Sequence, residues 1–286
     1  MKQLVFEALG THWIIDIDVS VKRLKSIEDV VIEWLSRFEK TYSRFDSDSW
    51  LVTIGKKTGS YPLPDDGYEL LSWYEKMYRM TNGVFTPLVG QNLVEAGYDR
   101  QYSLKPKRLQ RVANWDEVII FDHEQVKILK PCQLDFGGVG KGWAIDKIGQ
   151  LLQKREVGEY TIDAGGDIFN YSQKGGIITV GLEHPDNRNE VIGEAYIGNA
   201  SICGSAGNRR NWGSFHHIIN PLLLSSPKAV VASWVVAQSA LVADTLATCL
   251  LLVPLEMVAN VAEFAYVMVD QQRGAVFSKN FPGKLY

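Results

Sequence analysis

The stretch LDFGGVGKGWAID, residues 134–146, decides how this chain is to be read. Glycines at 137, 138, 140 and 142 interrupt any regular pattern, and from Lys141 to Lys154 the spacing of Trp143, Ile145, Ile148, Leu151 and Leu152 predicts a helix. The segment is therefore a tight, glycine-rich entry into a helix. A P-loop needs four residues between its first glycine and Gly-Lys, then Ser or Thr; Asp135 stands where that first glycine belongs, and Gly142 follows Lys141. A dinucleotide fingerprint begins at Gly138-Val139-Gly140 but meets Trp143 where its third glycine belongs. Asp135-Phe136-Gly137 imitates a kinase DFG without the other kinase motifs upstream. What survives is physical: glycines admit close approach to a bulky ligand, a helix start favours phosphate, and Lys141 adds charge. A glycine-rich turn with a surface lysine fits the same letters.

Outward from this segment, the chain alternates apolar and polar residues in HWIIDIDV, 12–19, which predicts a strand. Helices are expected from about Ser26 to Phe38 and from Asp66 to Thr81, the second stopped by Asn82-Gly83. WDEVIIFD and QVKILK read as paired strands near 115–130, and YTIDAGGDIFNY, GIITVGLE and EAYIGNASIC as further strands. Ser239 to Leu252 reads as a buried helix, with FAYVMVD and AVFS as closing strands. Strands outnumber helices without βαβ alternation, which predicts an α+β fold of mixed, largely antiparallel sheets with packed helices. One domain is expected over 1–286, or two subdomains with no readable boundary.

Composition narrows the function classes. Thirty basic against 33 acidic residues leave a formal charge of −3, so no general attraction to nucleic acid or an anionic membrane follows. Cys132, Cys203 and Cys249 lack metal spacing and read as free thiols. Acids at Glu7, Asp16 and Asp18 interrupt any signal-peptide core, and Pro254 cuts the longest apolar run short of a membrane span. A cytoplasmic protein is expected, or an exported one if a leader was removed.

Three more segments carry candidate chemistry. Asp244 and Thr248 stand four apart in an apolar helix, which puts two oxygens on one face and suits Mg²⁺. A capping aspartate with Thr248 bonded back to it is the alternative. His217 in FHHIINP is a candidate general base, or a structural histidine. The paired glycines in IDAGGDI, between Asp163 and Asp167, imply a bulge or close backbone approach.

Taken in order, these motifs resemble the FAD:protein FMN transferase family, the ApbE-type flavin transferases. The resemblance runs through ALGTHW (8–13), YSRFDSDSWL (42–51), TNGVFTPLVG and EAGYD (81–99), LDFGGVGKGWAID (134–146), DAGGDI (163–168), HHIINP (216–221) and ADTLAT (243–248). It implies a T-fold-like flavin transferase architecture. It also implies Mg²⁺-dependent cleavage of FAD, with release of AMP and attachment of FMN to a threonine or serine of a target protein. By resemblance, Asp244, Thr248 and the Gly138 carbonyl hold Mg²⁺, with Mn²⁺ as an alternative ion. Leu9, Phe45, Ala96, Gly97, Tyr98, Asp135, Lys141 and Ile218 then line the FAD site, with Lys141 near the phosphates. His217 and Asp244 become the catalytic pair, His217 accepting the proton of the incoming hydroxyl.

The chain departs from the family pattern at Asn220, commonly Asp, at the PLLLSSP turn that follows it, at Gly55, commonly Asn, and at Ala247, an Asp in some members. The partner implied is an acceptor protein with a threonine-containing flavinylation motif, which this chain itself lacks. An FAD pyrophosphatase giving FMN and AMP, or a non-catalytic FAD-binding protein, would use the same pocket.

Overall fold

The computed structural model describes residues 1–208 and 210–286. The chain opens with β1 (Lys2–Ala8) and β2 (Thr11–Ile17), joined by Leu9 and Gly10, both left-handed at φ 52° and 69°. That conformation is the one a two-residue hairpin loop requires, and glycine adopts it without steric cost. Helix α1 (Val21–Tyr42) follows, burying Ile27, Val31, Leu35, Phe38 and Tyr42 on one helical stripe. It is longer than the predicted 26–38, because Ser26 is no cap: its hydroxyl donates to the Arg23 carbonyl inside the helix. Next come α2 (Trp50–Gly55), β3 (Gly59–Pro62), α3 (Gly67–Met80) and α4 (Gly90–Glu95). The predicted stop after α3 is real, with Asn82 and Gly83 at φ 50° and 85°.

Strands β4 (Ile119–Phe121) and β5 (Gln125–Ile128) pair as expected, and β3 joins them in a small sheet. The glycine segment then enters α5 (Gly140–Lys154). Beyond it, YTIDAGGDIFNY is not one strand but a hairpin, β6 (Glu159–Ala164) and β7 (Asp167–Ser172), turned by Gly165 and Gly166 at φ 69° and 97°. EAYIGNASIC is likewise divided into two strands by the turn at 198–199. In chain order these strands are β8 (Ile178–His184), β9 (Asn187–Ile197) and β10 (Ala200–Ala206). The short pair β11 (Asn211–Trp212) and β12 (Phe215–His216) precedes β13 (Val230–Ala237) and α6 (Ala240–Leu252). The chain closes with β14 (Ala265–Asp270), β15 (Ala275–Phe277) and β16 (Gly283–Leu285).

Eight strands form one open antiparallel sheet in the order β1-β2-β6-β7-β10-β13-β14-β15. The α+β expectation holds. Helix α5 packs on β6 and β7, and α6 on β10 and β13, so both helices lie against the sheet and against each other. Helix α6 is apolar almost all round and buried accordingly. A Cβ on Gly142 would lie 2.4 Å from the Ala240 carbonyl oxygen, so only glycine lets the two helix starts come this close. Among the described residues no helix is long and apolar enough to cross a membrane. All three cysteines are free.

Candidate active site

The glycine segment forms one wall of a cavity of about 790 Å³, within the range of sites that enclose a sizeable organic ligand. Its first residue of interest, Asp135, closes a local turn by accepting the Gly137 N–H at 2.8 Å, while its other oxygen faces Nε of Arg44 at 2.5 Å. The hydroxyl of Tyr74 donates to the Asp135 carbonyl, so this turn is held from both sides. At Gly138 an added Cβ would come to 3.0 Å from Phe85, so the backbone there packs closely against that ring. Helix α5 then begins at Gly140 without a side-chain cap.

The cap comes instead from another helix. Asp244, in the second turn of α6, accepts the Gly142 N–H at 2.9 Å through Oδ2. Its other oxygen lies 3.5 Å from Nζ of Lys141. Asp244 therefore does not cap its own helix, as the alternative reading of the sequence had it: Ser239 is the N-cap and accepts from Val242. Asp146 supports that helix start by accepting from the Ser239 hydroxyl and from the backbone N–H groups of Ala240 and Leu241. Burial pushes the Asp146 carboxyl above its ordinary range despite these three donors. One turn along α6, the hydroxyl of Thr248 lies 3.5 Å from that of Ser205 on β10.

Lys141 also pairs with Asp167, at the start of β7. Asp167 is only 2% exposed, and its second oxygen accepts the Gly204 N–H from β10 at 3.0 Å. The ammonium thus sits between two carboxylates on different elements, an arrangement that offsets the cost of burying them.

At the other end the cavity is aromatic. Phe45 meets Tyr98 edge-on at 5.6 Å and stacks on Tyr102 at 5.7 Å, and the Arg44 guanidinium covers Phe45 and Tyr98 at 4.0 and 4.7 Å. Tyr98 accepts a hydrogen bond from Arg210, yet burial pushes its phenol up to about 12. Leu9, in the first hairpin turn, lines the same cavity, and Arg210 also reaches the carbonyl of the adjacent Gly10.

His217 and Ile218 form part of the wall between these ends. Burial holds the His217 imidazole down at about 3, with the nearby Arg210 cation adding to the effect, so the ring is neutral at pH 7. Its Nδ1 has no hydrogen-bond partner among the described residues. The neighbouring His216 is occupied differently, with Nε2 against the Pro227 carbonyl and Nδ1 accepting from Ile218 N–H.

Of the residues singled out in the sequence, Leu9, Phe45, Tyr98, Asp135, Gly138, Lys141, His217, Ile218, Asp244 and Thr248 all line this cavity. Ala96 and Gly97 do not. They stand behind the aromatic end, where the Ala96 carbonyl accepts from Trp212 and Gly97, at φ 101°, packs against the backbone of Leu104 and Lys105. Arg44 and Asp167 were missed, although both lie inside quoted motifs, because nothing in their spacing marks them as cavity residues. Two departures have structural explanations. Gly55 lies where a Cβ would meet the Cys132 carbonyl oxygen at 2.3 Å, and Asn220 caps its own turn by accepting the N–H groups of Leu222 and Leu223.

Residues 9–269 match the family model described as the ApbE family. The chain belongs to that family. Curated relatives carry the name FAD:protein FMN transferase, a transferase enzyme. The one from Treponema pallidum is 26% identical over 67% of this chain and 61% of its own length, and the one from Escherichia coli K12 is 22% identical over 83% and 74%. With the Treponema relative the match thus spans less than two thirds of that protein. Solved structures share the fold: the ApbE protein of Thermotoga maritima has a TM-score of 0.84 at 21% identity, covering 97% of both chains. The flavin transferase ApbE of Vibrio cholerae has a TM-score of 0.77 at 18% identity, covering 97% of this chain and 96% of that one.

Proposed function

We propose that this ApbE-family chain transfers FMN from FAD to a threonine or serine hydroxyl of a target protein, forming a phosphoester and releasing AMP. The observation that carries the reading is the composition of a single cavity: an aromatic, arginine-covered end at Phe45 and Tyr98, an oxygen-rich end at Asp244 and Thr248, and Lys141 at the latter. A ligand with flat rings joined through a pyrophosphate has that division of chemistry.

The residues present fit a magnesium ion. No group of three or more His, Cys, Asp or Glu gathers among the described residues, and the donors facing this end of the cavity are hard oxygens. That suits an ion which keeps several waters and takes one or two carboxylates plus substrate phosphate, and Mn²⁺ accepts the same donors. Asp244, Thr248 and the Gly138 carbonyl would hold it. When bound, such an ion would withdraw negative charge from the pyrophosphate and ease attack at phosphorus.

The chain's own residues supply the rest. Lys141 places a positive charge beside the phosphates, and the Asp135 turn fixes the glycine wall against which they lie. The acceptor hydroxyl forms the new P–O bond as the bond to AMP breaks. His217, neutral and with no hydrogen-bond partner for Nδ1 among the described residues, takes the hydroxyl proton, while its low basicity rises as phosphate charge enters.

The test is to incubate the protein with FAD and Mg²⁺, with and without a domain bearing a threonine-containing flavinylation motif, following AMP release and acceptor mass. Acceptor mass raised by FMN, with AMP in equal amount, is the expected result. AMP and free FMN without acceptor modification would replace the reading with a pyrophosphatase, and intact bound FAD with a binding protein.

A further inference from the structure

The strongest unassigned feature of the molecule is the place of the Lys141 ammonium. It pairs with Asp167 and lies 3.5 Å from Oδ1 of Asp244, while Oδ2 of Asp244 is already taken by the Gly142 N–H. The one Asp244 oxygen free of a backbone donor is thus the one this cation faces. A divalent ion coming to Asp244 meets a resident positive charge.

Two like charges cannot share one carboxylate oxygen at low cost. Asp167 provides the way out. It is buried, it is fixed by the Gly204 N–H on β10, and it leaves its second oxygen for the ammonium. Its anchoring is independent of Asp244, because β7 and β10 belong to the sheet and Asp244 to the helix above it.

We propose that Lys141 is a resident counter-cation of the unliganded site, competing with the divalent ion for Asp244, and that Asp167 is the positioning residue that retains the ammonium when Asp244 is released to the metal. The proposal deepens the transferase reading, since it concerns the same metal end of the cavity. It assigns Asp167 no direct contact with the ion.

The test measures Mn²⁺ binding to the FAD-free protein by electron paramagnetic resonance, which does not depend on turnover. Lys141→Met removes the competitor, and Mn²⁺ should bind at least about ten-fold tighter. Asp167→Asn leaves the ammonium with Asp244 alone, and binding should weaken by about ten-fold. The double variant should bind as tightly as Lys141→Met, because without the ammonium Asp167 has nothing to retain. A double variant as weak as Asp167→Asn would make Asp167 a metal ligand and overturn the proposal. Unchanged affinity in Lys141→Met, or no Mn²⁺ binding in any of the proteins up to concentrations on the order of millimolar, would overturn it too. Lys141→Gln serves in place of Lys141→Met if the latter does not fold. The transferase reading fails separately, by absence of FMN on the acceptor.

Discussion

Asp244 of α6 accepts the backbone N–H of Gly142 in the first turn of α5, at 2.9 Å. This contact joins two segments that lie 102 residues apart in sequence, and it places the carboxylate of one motif at the helix start of the other. The oxygen-rich end of the cavity exists because these two helices touch.

That contact sets a steric prediction. Gly142→Ala puts a methyl 2.4 Å from the Ala240 carbonyl oxygen, and the backbones on both sides must part. Destabilisation of about 1–3 kcal/mol is expected in urea unfolding. Gly140→Ala, whose Cβ would find only Phe38 at 3.8 Å, should change stability by less than about 1 kcal/mol. Equal effects at both positions would mean that the close helix approach is not what the glycine serves.

Asp244→Asn keeps the shape and a hydrogen-bond acceptor toward Gly142 but removes the charge. With FAD, Mg²⁺ and acceptor, transfer should fall by at least about 100-fold while FAD still binds. Undiminished AMP release would remove Asp244 from the metal site.

Arg44 faces Asp135 at 2.5 Å and spreads over Phe45 and Tyr98. Lysine keeps the charge but not the plane, so Arg44→Lys should lose the stacking and the Nε contact to Asp135. FAD affinity, followed by flavin fluorescence, is expected to drop about ten-fold, with Mn²⁺ affinity unchanged. FAD bound as tightly as by the unaltered chain would place the flavin nucleotide elsewhere.

The depressed histidines give stability a pH dependence. The His217 imidazole falls from an ordinary 6.5 to about 3 on folding, so between these values the unfolded chain takes up a proton that the folded chain refuses. This contribution is complete above pH 6.5 and is lost progressively as pH falls through that window. His216, lowered by the same cause, acts in the same direction. Comparing urea unfolding at pH 7 and pH 5, His217→Asn should reduce the loss of stability by about 2 kcal/mol. Identical losses in both proteins would show that His217 titrates normally when folded.

The sequence by itself determined the local choices. Alternation in HWIIDIDV set a strand, Asn82-Gly83 stopped α3, and the period of Trp143 to Leu152 set α5, because each depends on neighbours along the chain. Ordered motifs likewise marked most cavity residues before any contact was known. Where a turn interrupted one strand-like run, the reading fell short: Gly165-Gly166 reads as a bulge or close approach, yet both residues adopt positive φ and the chain folds back there as a two-residue hairpin. Tertiary structure alone decided the partnerships. Asp146 capping α6, Asp167 holding Lys141, and Arg44 covering Phe45 while facing Asp135 all pair groups from separate segments, or aim a side chain by packing. A buried charge needs a partner, and which one it finds depends on how the sheet brings β7 and β10 beneath the starts of α5 and α6.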